Sequence, residues 1–190
     1  MRNKLLMRLA ICACVVGLLC LPAAAQVKTT PKTPAKAAAA TIVDGPKVTE
    51  IDIEGLRKLL KPGSKPLMLN FWATWCDPCR EEFPDLVKLN ESYKNRIDFY
   101  TISLDDLADI NGDVPKFLGK MKAEMPAYLL HTSDDDAAIN LVSKDWGGNL
   151  PLTILYKPSG EVAYLRNGKV RIDALTAEID KLLALPASGQ

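Results

Sequence analysis

Cys76 and Cys79 are the residues of this chain best suited to chemistry. They form a C-x-x-C pair within Ala73-Thr74-Trp75-Cys76-Asp77-Pro78-Cys79-Arg80. A thiolate at the first position can attack a disulfide, and a second thiol one helical turn on can resolve the mixed disulfide. That order of events wants the first sulfur at a helix N-terminus, where unpaired N–H groups and the macrodipole favour negative charge. Other uses of the pair fit less well. A zinc half-site needs two more ligands, and the residues left are His131 and carboxylates. A bridge across so short a loop constrains little of the unfolded chain. A lone cysteine nucleophile wants a histidine base, and the one histidine falls on a predicted strand far from the pair.

The elements that must present these thiols can be read on either side of them. Leu67–Trp72 (LMLNFW) is an apolar run bounded by turn residues, which predicts a buried central strand leading into the motif. Cys76 to Tyr93 predicts a helix, with Phe83, Leu86, Val87, Leu89 and Tyr93 on its apolar face and a kink at Pro84. Around this unit the chain alternates. Strands are predicted at Glu50–Ile53, Ile97–Ser103 and Ala127–His131, and helices at Glu54–Lys61, Val114–Met125 and Asp135–Ser143. Asp113 is the expected N-cap of the second of these helices, with Pro115 in its first turn. Leu152–Tyr156 and Glu161–Leu165 read as a hairpin around Lys157-Pro158-Ser159-Gly160, and Ile172–Leu185 as a closing amphipathic helix. Such alternation predicts one α/β domain with a mixed sheet. Trp146-Gly147-Gly148 reads as a packing and turning element. The Asp134-Asp135-Asp136 run reads as a helix start, since it lacks the spaced ligands of a calcium loop.

The first 25 residues stand apart. Arg2, Lys4 and Arg8 precede an apolar run from Leu9 to Leu21, and Ala23-Ala24-Ala25 follows. A charged start, an apolar middle and a small-residue site describe an export signal, with Gln26 as the mature N-terminus. The competing reading is an uncleaved anchor, although the run is shorter than the roughly 20 residues that cross a bilayer. Lipid attachment at Cys20 is disfavoured by Leu19 before it. Three of the five cysteines leave with the signal, and Cys76 and Cys79 remain in a compartment where disulfides persist. Residues 26–46, rich in Ala, Lys, Thr and Pro, read as a linker, and residues 47–190 as the folded domain. Of the 190 residues, 48% are hydrophobic, which excludes global disorder. The formal charge of +1 excludes the basic footprint of a nucleic-acid binder.

The segment FWATWCDPCREEFP resembles the active site of thioredoxin-like proteins, in particular the exported TlpA/ResA-like thiol–disulfide oxidoreductases. The preceding strand, Trp75 before the first cysteine, the C-x-x-C pair, Pro84 and a downstream hairpin opened by Pro151 agree together, and the likeness spans about residues 47–186. It implies a thioredoxin-like α/β fold: a central mixed β-sheet flanked by helices, with a TlpA-type inserted strand–helix segment between Val114 and Ser143. It implies Cys76 and Cys79 as the catalytic dithiol. It also implies a cis Leu150–Pro151 bond beside them, although Leu150 departs from the Thr or Val often found there. Trp75, Asp77, Pro78, Leu150 and Pro151 become the substrate-binding residues, Pro151 opening a strand edge that accepts an extended polypeptide. Glu82 matches an acid that moves protons near the thiols; from the residues alone the favoured reading is a solvated first-turn glutamate. Asn70 stands where cytoplasmic thioredoxins carry a buried aspartate, which leaves Glu82 as the nearby proton acceptor.

The same resemblance implies no cofactor and no metal. It implies protein disulfides as substrates, apocytochrome c among the family's candidates, and a membrane thiol carrier as electron donor for a periplasmic or otherwise extracytoplasmic monomer. A carboxylate at Asp77 opposes thiolate formation at Cys76, which predicts a reductant. A thiol peroxidase and a redox-inactive binding module of the same fold are the rival readings.

Overall fold

The computed structural model describes residues 45–184, so the expected export signal and nearly all of the expected linker lie outside the described residues. Six strands form a single sheet in the order β1-β4-β3-β2-β5-β6. In chain order the elements are β1 (Val48–Ile51), α1 (Ile53–Leu59), β2 (Leu67–Trp72), α2 (Asp77–Tyr93), β3 (Asp98–Ser103), α3 (Asp113–Met121), β4 (Ala127–Leu130), α4 (Asp135–Val142), β5 (Leu152–Tyr156), β6 (Val162–Asn167) and α5 (Ile172–Ala184). β1, β4, β3 and β2 run parallel, and β5 and β6 close the sheet antiparallel as a hairpin. Among the described residues no helix is long and apolar enough to cross a membrane.

The strand that leads to the cysteines is the most covered. All six residues of β2 are buried, as a strand with helices on both faces requires. Met68 and Trp72 face a cluster with Phe83, Leu86 and Val87 of α2 and Leu175 and Ile179 of α5. Leu67, Leu69 and Phe71 face the opposite way, onto Leu56 of α1, Ala138 and Val142 of α4, and Trp146. The alternation along β2 therefore divides the core in two.

Local chemistry moves several boundaries from their expected places. β1 ends at Ile51 because Asp52 turns the chain, its carboxylate accepting from the Gly55 N–H at 2.7 Å to open α1. Asp113 is not the cap of α3. Gly112 occupies that position without a side-chain bond, and Asp113 lies in the first turn. The same helix stops at Met121 rather than Met125, because Lys122 adopts φ 55° and the Ala123 N–H reaches back to Leu118. α2 continues past Pro84 to Tyr93 without a break in the helix. The segment Val114–Ser143 supplies α3, β4 and α4, with β4 lying between β1 and β3.

Candidate active site

β2 delivers the chain to one edge of the sheet, and residues 73–76 turn it into α2. The Cys76 N–H closes this turn on the Ala73 carbonyl at 3.2 Å. Cys76 is the N-cap of α2, Pro78 lies in the first turn, and Cys76 and Cys79 form a disulfide with their Cα atoms 5.3 Å apart. The two sulfurs are not equivalent. Cys76 retains 6% exposure while Cys79 has none. The Cys79 N–H points at Cys76 Sγ, 3.3 Å away, so the helix start presents a donor to the outer sulfur.

Trp75, which precedes Cys76 in the chain, is 67% exposed. Asp77 is solvated and meets Arg80 Nη1 at 3.4 Å, a surface pair of little energetic weight. The Leu150–Pro151 bond is cis. Trp146 anchors the loop before it by donating to the Asn149 carbonyl at 2.8 Å and packing against Phe71 at 4.9 Å between ring centroids. Gly148 in that loop has φ 80°, a left-handed backbone that favours glycine. The Pro151 carbonyl is taken by the Gly168 N–H. Among the described residues, Leu150 makes no backbone–backbone hydrogen bond.

Glu82 is not a solvated helix residue. It is 1% exposed, one turn beyond Cys79 on the buried face of α2. Its Oε1 accepts from Asn70 Nδ2 at 3.0 Å and its Oε2 from the Val170 N–H at 2.7 Å. Burial raises its pKa above the usual glutamate value, against the lowering effects of these two donors and of Lys169. Because the folded state holds this proton more tightly than the unfolded chain, the linkage sign is fixed. Stability falls as pH rises from about the ordinary glutamate pKa of 4.5 through the raised native value. Denaturant titrations across that window are expected to show a stability decline that Glu82→Gln removes. An equal slope in both proteins would contradict the assignment.

The motif gave no hint of Asp105. This buried residue follows β3 and holds the turn before the cysteines. Its carboxylate accepts from the Thr74 N–H at 3.0 and 3.1 Å, from the Thr74 hydroxyl, and from Ser103 Oγ at 2.6 Å. Asp105→Ala leaves the Thr74 N–H without its partner and is expected to cost about 1–3 kcal/mol. Equilibrium unfolding measures it, and an unchanged midpoint would remove Asp105 from this role. A cleft of about 540 Å3 opens nearby, lined in part by Leu104, Asp105, Leu130, Ile139 and Trp146, with neither cysteine in its wall. His131 lies at its rim and meets Glu50 at 3.2 Å. Asp134 caps α4 through the Ala137 N–H, as expected of the acidic run.

Comparison with known proteins agrees with this geometry. Residues 35–165 match the model of the AhpC/TSA family. The thiol-disulfide oxidoreductase ResA of Oceanobacillus iheyensis is 30% identical over 141 residues, covering 74% of this chain and 64% of that protein. The thiol:disulfide interchange protein HelX of Rhodobacter capsulatus is 31% identical over 118 residues, covering 62% of this chain and 60% of its own. The chain thus spans less than two thirds of the length of these two relatives. The crystal structure of a thiol:disulfide interchange protein of the thioredoxin family from Chlorobium tepidum superposes with a TM-score of 0.55 at 22% identity. It covers 77% of this chain and 100% of that one, and the expected thioredoxin-like fold is present.

Proposed function

The chain belongs to the AhpC/TSA family of thioredoxin-like proteins, and from that premise we propose that it reduces disulfides in protein substrates by cycling Cys76 and Cys79. The observation that carries this reading is the disulfide at the start of α2, with the more exposed sulfur at the N-cap. In the reduced protein the Cys76 thiolate attacks one sulfur of a substrate disulfide, forming a mixed disulfide and expelling the other substrate sulfur as a thiolate. Cys79 then loses its proton to Glu82 and attacks Cys76 Sγ. The Cys76–Cys79 bond forms, the second substrate sulfur leaves as a thiolate, both substrate thiolates take up protons, and Glu82 returns to its carboxylate by releasing the Cys79 proton to solvent. Two electrons pass from the dithiol to the substrate.

Recognition follows from the same loops. An extended substrate pairs with the free backbone of Leu150 beside Pro151, while Trp75 covers its flank. Asp77 and Pro78 border the attacking sulfur. The substrates are proteins, apocytochrome c among the candidates, and the monomeric domain needs no cofactor. The N-terminal sequence supports an extracytoplasmic location, signal over 1–25, linker over 26–46 and domain over 47–190. There, a membrane thiol carrier would regenerate the dithiol.

Insulin reduction tests the reading: turnover is expected, and its absence in the reduced protein would leave a binding module. Turnover of hydrogen peroxide in place of insulin would move the assignment to thiol peroxidase. Equilibration in dithiothreitol or glutathione buffers is expected to give a reductant's potential of roughly −270 to −220 mV, and a value near −120 mV would mark an oxidant.

A further inference from the structure

Glu82 sits over a row of three uncharged polar residues. Thr101 on β3, Asn70 on β2 and Thr153 on β5 are register partners, so their side chains share the sheet face under α2. All three are fully buried in an otherwise apolar layer. Asn70 directs Nδ2 at two neighbours, Glu82 Oε1 at 3.0 Å and Thr153 Oγ1 at 3.1 Å. Its Oδ1 has no partner among the described residues, nor has the Thr101 hydroxyl. This amide orientation suits an ionised carboxylate.

A protonated Glu82 fits it less well. The Val170 N–H, 2.7 Å from Oε2, is best met by the carbonyl oxygen of the acid. That places the acid proton on Oε1, where it competes with the Nδ2 hydrogens for the same direction. Half a turn of the amide resolves the conflict. It brings Oδ1, with two lone pairs, to the point that Nδ2 held, where it accepts from the Glu82 acid and from the Thr153 hydroxyl. A hydroxyl donates or accepts, so Thr153 can follow either orientation.

We propose that Asn70 is a positioning residue whose side-chain amide reverses with the protonation of Glu82, donating to the carboxylate and accepting from the acid. Its bearing on catalysis rests on Glu82 being the proton carrier of the exchange. The buried acid then has a partner in both of its states, and taking or releasing a proton strands no hydrogen-bond donor against it. The groups facing Glu82 permit this. Lys169, from the loop between β6 and α5, attracts the carboxylate and is itself paired with Glu81 at 3.0 Å. Asn70 of β2, which bonds Glu82, and Thr153 of β5, which bonds Asn70, are both uncharged.

The test is a pH titration of the isotopically labelled reduced protein by NMR, following the Glu82 carboxyl carbon and the Asn70 side-chain amide together. The Asn70 resonances are expected to move with the same midpoint as Glu82, and to stop moving there in Glu82→Gln. Asn70→Leu is expected to raise the Glu82 midpoint by about one pH unit, since of the two bonds it removes the one to the charged form is the stronger. Thr153→Val should also displace the midpoint, and Thr153→Ser should restore it. Should Asn70→Leu fail to fold, the wild-type amide titration and the Thr153 pair still decide. A stationary Asn70 amide while Glu82 titrates overturns the proposal, as does a folded protein in which Glu82 does not titrate. If the amide follows Glu82 but the exchange rate does not share that midpoint, the reversal stands and the proton-carrier role of Glu82 falls.

Discussion

Cys79→Ser protein incubated with disulfide substrates is expected to accumulate covalent complexes through Cys76, while Cys76→Ser accumulates none. The difference follows from the position of the two sulfurs. Cys76 caps α2, keeps a little exposure and has the Cys79 N–H directed at it, whereas Cys79 is closed off beneath. Without Cys79 the first attack still occurs, but the resolving one cannot, and the mixed disulfide persists. Turnover is lost in both variants, because each removes one half of the two-electron cycle. Non-reducing electrophoresis with identification of the captured partner reads the result. Equal trapping by both variants would reverse or dissolve the assignment of nucleophile and resolver.

Trp72→Ala is expected to cost about 3–5 kcal/mol, a large share of the 5–15 kcal/mol that usually separates folded from unfolded domains. Trp72 is 1% exposed at the end of β2, with Phe83 at 4.9 Å and Phe117 at 5.0 Å between ring centroids. Removing it empties the space between β2, α2 and α3 immediately below the turn that carries the cysteines. Trp72→Phe provides the contrast. It keeps an aromatic ring and deletes an indole N–H that has no partner among the described residues, so it should cost much less. Urea unfolding of the two variants separates these outcomes, and equal midpoints would show that filling this space matters little.

β2 and β5 lie where the sequence places them because each is a mostly apolar run between turn residues. The limits of α3 were less legible. Asp113 is the better capping residue by type, but Gly112 takes the position, and the stop depends on a left-handed Lys122 that no local composition announces. The cysteines could be read from spacing alone, since helix geometry fixes how they meet. Burial of Glu82 could not, because its partners Asn70 and Val170 come from segments far along the chain. Asp105 was missed for a related reason. An acid just after a strand reads as a turn residue, and its value lies in Thr74, which sheet order brings alongside. The one available signal was Ser103-Leu104-Asp105 at the carboxyl end of a strand paired with β2, where loops of neighbouring parallel strands converge.

The sheet order also sets a timetable for a chain made from its N-terminus. β1 is synthesised first, yet it pairs only with β4, so Val48 waits for Ala127 before it has a neighbour. β2, α2 and β3 come next as a contiguous unit whose two strands pair with each other, and it already contains both cysteines. β5, which supplies Thr153 and is preceded by Pro151, follows much later. Non-local pairings of this kind form slowly, because a long loop must close before they are rewarded. The site is therefore complete only once the late hairpin has docked beside β2.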